Sequence, residues 1–152
     1  MKCNPFLAFL RTHLCLLGGR LHFSRDRIGE TLTMENGQEF TIFRQVIVDP
    51  GKGQPKEPGA VFRVCFRVAN MSPEQNKRFS LLPIPFFVGL PGFRSKLWTL
   101  NASSGLFQGM YEWDTIQDAQ NYASSFAMRF MTKRSVPGSV SQQVIPRELE
   151  EE

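Results

Sequence analysis

Between Pro91 and Asp114 the sequence carries two alternating arms, a turn and the start of a helix, and that order restricts the fold more than any other stretch. The arms are Pro91-Gly-Phe-Arg-Ser-Lys-Leu-Trp-Thr-Leu100 and Gly105-Leu-Phe-Gln-Gly-Met-Tyr-Glu-Trp-Asp114, with turn-forming residues from Asn101 to Gly105 between them. Alternation on both sides of such a turn predicts a β-hairpin. Asp114-Thr-Ile-Gln117 then has the spacing of a capping box, in which two side chains satisfy orphan N–H groups and launch a helix.

The flanking segments extend this order. Val61 to Ala69 alternates as a strand, and Ser72-Pro-Glu-Gln75 is a second capping box with proline at the first helical position, predicting a helix that ends near Pro83. Pro83 to Pro91 is apolar but punctuated by prolines and reads as an irregular segment on the core. A helix is expected from Thr115 to about Met131, with Ile116, Ala119, Tyr122, Ala123, Phe126 and Phe130 at helical spacing, and a last strand from Ser139 to Ile145. The result is an α+β chain of order β-α-β-β-α-β, the ferredoxin-like split unit with an antiparallel sheet.

Before this unit stand two others. Phe6, Phe9, Leu10, Leu14 and Leu17 predict an amphipathic helix over residues 5–17, ending at Gly18-Gly19. Asn36-Gly37 lies between alternating arms and predicts a hairpin with a type I′ turn over residues 28–48. The Pro/Gly-rich run from Asp49 to Gly59 is a connector. The chain thus divides into an N-terminal amphipathic segment (1–27), a hairpin with its connector (28–59), the ferredoxin-like domain (60–146) and an acidic, frayed tail (147–152).

With 152 residues, 41% hydrophobic and 21% charged, one globular domain is expected. The net charge of +4 is the balance of 18 scattered Lys and Arg residues against 14 Asp and Glu, which fits a solvated basic surface. Cys3, Cys15 and Cys65 lack the spacing of a zinc or redox site, and an odd number cannot all pair, so a cytoplasmic home is expected. The apolar segment from Phe6 to Leu17 is interrupted by Arg11 and His13 and is shorter than the ~20 residues that span a bilayer. It suits packing against protein, or peripheral membrane contact assisted by Lys2, Arg11, Arg20, Arg25 and Arg27. The sequons Asn70-Met-Ser and Asn101-Ala-Ser matter only on a secretory route.

Each strand sends alternate side chains to opposite faces. Phe62, Val64, Phe66 and Val68 oppose Arg63, Cys65 and Arg67; Phe107, Tyr111 and Trp113 oppose Gln108, Met110 and Glu112; Arg94, Lys96 and Trp98 share one side. Burying charges beneath the helices is costly, so the charged sets are assigned to the open face. Arg63, Cys65, Arg67, Trp98, Met110 and Glu112 are therefore the candidates for a sheet-to-sheet homodimer contact.

Residues ~60–146, a little over half of the chain, resemble the dimeric α+β barrel superfamily of antibiotic-biosynthesis-type and YdhR-like monooxygenases. The resemblance rests on Pro91-Gly-Phe-Arg-Ser-Lys-Leu-Trp98, Gly109-Met-Tyr-Glu-Trp-Asp114 and Val136-Pro-Gly-Ser-Val140. It implies a dimeric α+β barrel with a ligand cavity between helices and sheet, and cofactor-independent oxidation of a small aromatic, quinol or polyketide-like substrate. It also implies pocket positions for Trp113 and Asn70; the needs of such chemistry add Tyr111 and Tyr122 as ligand-binding candidates, with Arg94 or Lys96 as the cation, and the catalytic residues stay unassigned. A non-catalytic ligand-binding or dimerisation module is the alternative. Haem is not expected, because a proximal histidine has no candidate in residues 60–146: the histidines are His13 and His22. No cofactor and no metal site are expected. A nucleic-acid partner is disfavoured, since Val61 to Val68 lacks the RNA-recognition signature and Trp98 alone offers a stacking platform.

Overall fold

Seven strands form a single antiparallel sheet in the computed structural model, which describes residues 4–147. Helix α1 (Pro5–Leu17) is followed by β1 (Leu21–Ser24), β2 (Thr31–Thr33), β3 (Glu39–Val48) and β4 (Ala60–Phe66). Two short helices, α2 (Pro73–Phe79) and α3 (Ile84–Phe87), lead into β5 (Phe93–Asn101) and β6 (Leu106–Trp113). The chain then runs through α4 (Ile116–Ala123), α5 (Phe126–Lys133) and β7 (Ser141–Pro146). The strand order is β1-β3-β5-β6-β4-β7, with β2 also on β3. Its central part, β7-β4-β6-β5, is the ferredoxin-like sheet, and β3 with β1 and β2 extends it beyond β5.

Local chemistry accounts for most of the boundaries. Ser72 accepts from the Gln75 N–H at 3.2 Å while the Gln75 side chain accepts from the Ser72 N–H at 2.9 Å, so the first capping box forms as expected. The second start falls one residue later than its spacing suggests. Thr115, not Asp114, caps α4 by accepting from the Asp118 N–H at 3.1 Å, which leaves the Asp114 carboxylate for another partner. The long helix expected to Met131 is two helices, because the backbone breaks at Ser124 and Ser125, where residues that compete for backbone hydrogen bonds meet.

The two hairpins close differently. At the β5–β6 turn the Asn101 side chain accepts from the Ser103 and Ser104 N–H groups, both at 3.1 Å, and Gly105 takes a φ of 73°. At the β2–β3 turn Gly37 has a φ of 82°, but Asn36 does not enter the left-handed region. Gln38 O accepts from the Met34 N–H and Met34 O from the Gly37 N–H, each at 2.9 Å. This is a three-residue loop with one left-handed glycine, not the type I′ turn that Asn-Gly suggested.

Helix α1 docks through the opposite stripe from the one its large residues define. Ala8 and Thr12 are buried, and the Thr12 hydroxyl donates to Pro85 O at 2.7 Å. A Cβ at Gly89 would lie 1.9 Å from Ala8 O, so the backbones touch where both residues are small. Phe6, Leu10, Leu14 and Leu17 are left 79%, 60%, 68% and 84% exposed. No helix among the described residues is long and apolar enough to cross a membrane. Lys2, Cys3 and tail residues 148–152 lie outside the described residues.

The main core lies on one face of the sheet. Phe62 and Val64 of β4, Tyr111 and Trp113 of β6, and Phe93 and Trp98 of β5 pack there against Ile84, Phe87, Ala119, Tyr122 and Met128.

Candidate functional site

A β-bulge at the start of β5 sorts the cations of that strand. Phe93 pairs with Trp113, but the next paired residue is Ser95, opposite Glu112, so Arg94 occupies the extra position. There Arg94 forms a buried ion pair with Asp114 at 3.0 Å and donates to Pro55 O at 2.7 Å and Lys56 O at 2.8 Å. It pins the connector to the end of β6. Gln54 donates to the same carboxylate at 2.9 Å.

Beyond the bulge, Lys96 stands opposite Tyr111 and Trp98 opposite Gly109. Both therefore point beneath the helices. Their expected place on the open face is corrected: Leu97, opposite Met110, takes it instead. The charge argument failed here because burial is tolerated by other means. Lys96 is only 9% exposed, and its Nζ lies 4.4 Å from the Trp98 and Tyr111 ring centroids and 4.9 Å from that of Phe87. Burial pulls its pKa well below the ordinary lysine value, and the Arg44 charge pulls the same way.

A cavity of about 80 Å³ opens beside this amine, between the sheet and the helices that cover it. That exceeds the ~10–15 Å³ needed for one water several-fold. Its walls include Phe87, Trp98, Phe107, Tyr111, Tyr122 and Phe130, and no Asp or Glu lines it. Gly109 helps keep it open: a Cβ there would stand 2.9 Å from the Tyr111 ring and 3.4 Å from Lys96 Cε. Tyr122 donates its hydroxyl hydrogen bond to Tyr111 at 3.0 Å. Burial raises the Tyr111 pKa, the Tyr122 bond opposing it, so this phenol stays protonated.

Two guanidinium groups stand nearby: Arg134 lines the cavity, and Arg44 lies against the ring of its wall residue Trp98. Arg44, across from Trp98 on β3, lies 5.2 Å from the Trp98 ring and donates to Ser80 Oγ at 2.7 Å and Lys77 O at 2.8 Å. Arg134 lies 3.4 Å from the Phe79 centroid and 5.5 Å from that of Phe130, near the exposed Phe130 edge.

Of the six ligand candidates, Lys96, Tyr111 and Tyr122 come together at this cavity. Trp113 does not line it. The ring is 1% exposed, packed on Phe93, Tyr111 and Tyr122, and belongs to the core. Asn70 is an exposed turn residue with a φ of 60°, and Arg94 is held in its ion pair. Phe87, Trp98 and Arg134 were missed as site residues. Gly109 in the middle of an aromatic strand was the available signal, since it vacates volume opposite Trp98.

The interface candidates separate as well. Arg63, Cys65, Met110 and Glu112 do lie on the open face, whereas Arg67 is an exposed end residue donating to Ser104 O at 3.2 Å. The β2–β3 turn covers part of this face: Glu35 pairs with Arg63 at 3.3 Å, and Gln108 contacts Met34 Sδ at 3.5 Å.

No family model and no curated protein matches the chain. Solved structures do. An uncharacterised ferredoxin-fold protein related to antibiotic biosynthesis monooxygenases, from Listeria monocytogenes, matches with 16% identity and a TM-score of 0.57, covering 80% of this chain and 70% of that one. A monooxygenase-like protein from Listeria innocua matches at 15% identity and a TM-score of 0.54, over 77% and 69% of the two chains. A heme-degrading enzyme from Listeria monocytogenes matches at 15% identity and a TM-score of 0.52, over 76% and 74%. The chain has the ferredoxin-like fold of these monooxygenase-related proteins.

Proposed function

We propose that this chain is a cofactor-independent, monooxygenase-like protein acting on a small aromatic, quinol or polyketide-like substrate in the cavity between sheet and helices. The observation that carries this reading is the cavity itself: aromatic walls, the Lys96 amine and the hydrogen-bonded pair Tyr111–Tyr122. Such chemistry asks the protein for a dry pocket and a few polar groups, because an electron-rich substrate reduces dioxygen itself. The balanced change is conversion of an activated ring methylene to a carbonyl: two hydrogens leave, one oxygen atom enters, and the other oxygen departs as water. The aromatic walls orient the ring, the tyrosine pair offers a neutral hydroxyl, and Lys96 faces the substrate oxygen.

Haem does not suit the residues present. His13 bonds to Phe9 O on α1 and His22 pairs with Asp49 at 2.6 Å, so neither imidazole lines the cavity. Oxygen-electrode measurements with anthrones, naphthols and quinols, on metal-free and flavin-free protein, test the proposal. Uptake above the uncatalysed rate that falls in a Tyr122→Phe variant is expected. Retention of these ligands without oxygen uptake would leave a binding module instead.

The second half of the reading is a homodimer through the open sheet face. Val61, Leu97 and Met110 are partly exposed there and stand on neighbouring strands. With Trp98 turned inward, the contact rests on these smaller side chains. Sedimentation equilibrium should return twice the chain mass at micromolar concentration, and Leu97→Glu should return the chain mass; a monomeric parent protein would remove the dimer.

A further inference from the structure

The charged residues that line the cavity, Lys96 and Arg134, are of one sign. Lys96 Nζ meets three ring faces, and the charged or titratable groups facing it come from every side: Arg44 on β3, Tyr111 on β6 and Tyr122 on α4. Lys77 on α2, paired with Glu74 at 3.2 Å, lies over Phe43, another wall of the cavity, and Arg134 follows α5 at the Phe130 edge. Among the described residues no carboxylate pairs with Lys96. Arg27, Arg63, Lys77, Arg94 and Arg147, by contrast, each have one, at 2.7–3.3 Å. A buried amine without a counterion is costly when charged, and a fold of this kind has little reason to keep one unless the missing charge arrives from outside.

We infer that the cavity is an anion site: it takes small aromatic molecules as phenolates or carboxylates, with the negative oxygen at Lys96 Nζ and the amine protonated as the ligand enters. The inference rests on the small-aromatic reading of this cavity and adds the charge state of its ligand. For a phenol, the ligand O–H bond breaks, an N–H bond forms on Lys96, and the electron pair stays on the phenolate oxygen. For a carboxylate, which arrives already ionised, the proton comes from solvent. In both cases the three ring faces stabilise the ammonium once it forms. Burial, which holds the empty site's amine below the ordinary lysine pKa, is what makes it a proton acceptor.

4-Nitrophenol tests the phenol arm, because its phenolate is yellow and its neutral form is not. At a pH about one unit below the phenol's own pKa, the bound molecule should show the phenolate band, and Lys96→Met should abolish that band. The carboxylate arm compares benzoate with its neutral isostere benzamide by calorimetry in two buffers of different ionisation enthalpy. Benzoate should bind with proton uptake, and Lys96→Met should weaken it by roughly tenfold or more while leaving benzamide nearly unchanged. The anion site is overturned if nitrophenol binds but stays colourless and benzamide binds as well as benzoate; the small-aromatic reading then survives. If none of the probes binds, both fall. Melting of Lys96→Met alongside establishes that the variant is folded.

Discussion

Arg94→Ala is expected to lower stability by about 3–5 kcal/mol, the loss typical of removing one partner from a buried ion pair. Both side chains of the Arg94–Asp114 pair are about nine-tenths buried. Truncation leaves the Asp114 carboxylate in low dielectric with only Gln54 as a side-chain donor, and it also leaves Pro55 O and Lys56 O without theirs. Arg94→Lys should recover little, because one ammonium cannot serve three acceptors in the planar geometry of the guanidinium fork. Chemical denaturation of the two variants checks this. A loss below ~1 kcal/mol for Arg94→Ala would mean that the connector is not held by this residue.

Lys96→Met, two residues along the same strand, is expected to act in the opposite direction and raise stability by about 1–3 kcal/mol, the scale of burying an unpaired polar group. Methionine keeps the length of the side chain and places a thioether among Phe87, Trp98 and Tyr111, where sulfur–ring contacts are favourable. The pH dependence follows from a folded-state pKa depressed below the ordinary value of 10.5. Above that value the amine is neutral in both states, and the part of its cost that comes from charge is gone. As the pH falls, the unfolded chain gains the proton first, and stability is lost until the folded pKa is passed. The advantage of Lys96→Met should therefore be largest near and below neutrality and should narrow as the pH approaches 10.5. A destabilised variant, or a difference independent of pH, would mean that the lysine is held by interactions the cavity geometry does not contain.

The contrast between Arg94 and Lys96 explains what was legible beforehand. Spacing in the chain placed both on one side of one strand, since they are two residues apart and strands alternate with period two. The bulge at Arg94 breaks that period, and nothing local announces it: its cause is the Asp114 carboxylate, twenty positions along and released because Thr115 makes the cap. Trp98 was misplaced for a related reason. Alternation divides a strand into two sets without saying which is covered, and the rule that charges stay outside chose the wrong set because aromatic rings surround Lys96. In β4 and β6, where one set is wholly apolar or aromatic, the same rule chose correctly.

Local chemistry by itself determined the β-α-β-β-α-β order, the Ser72 cap, the two hairpins and the Gly18-Gly19 stop of α1. Each depends on backbone preferences and hydrogen bonds made within a few residues, so neighbouring side chains suffice to specify it. Only the tertiary structure decided that Trp113 is core, that small Ala8 and Thr12 form the docking stripe of α1, and that Lys96, Tyr111 and Tyr122 share a cavity. Those outcomes depend on which surfaces meet: Gly89 admits the α1 backbone, Gly109 vacates space beside Lys96, and the helices following β4 and β6 close over the same face.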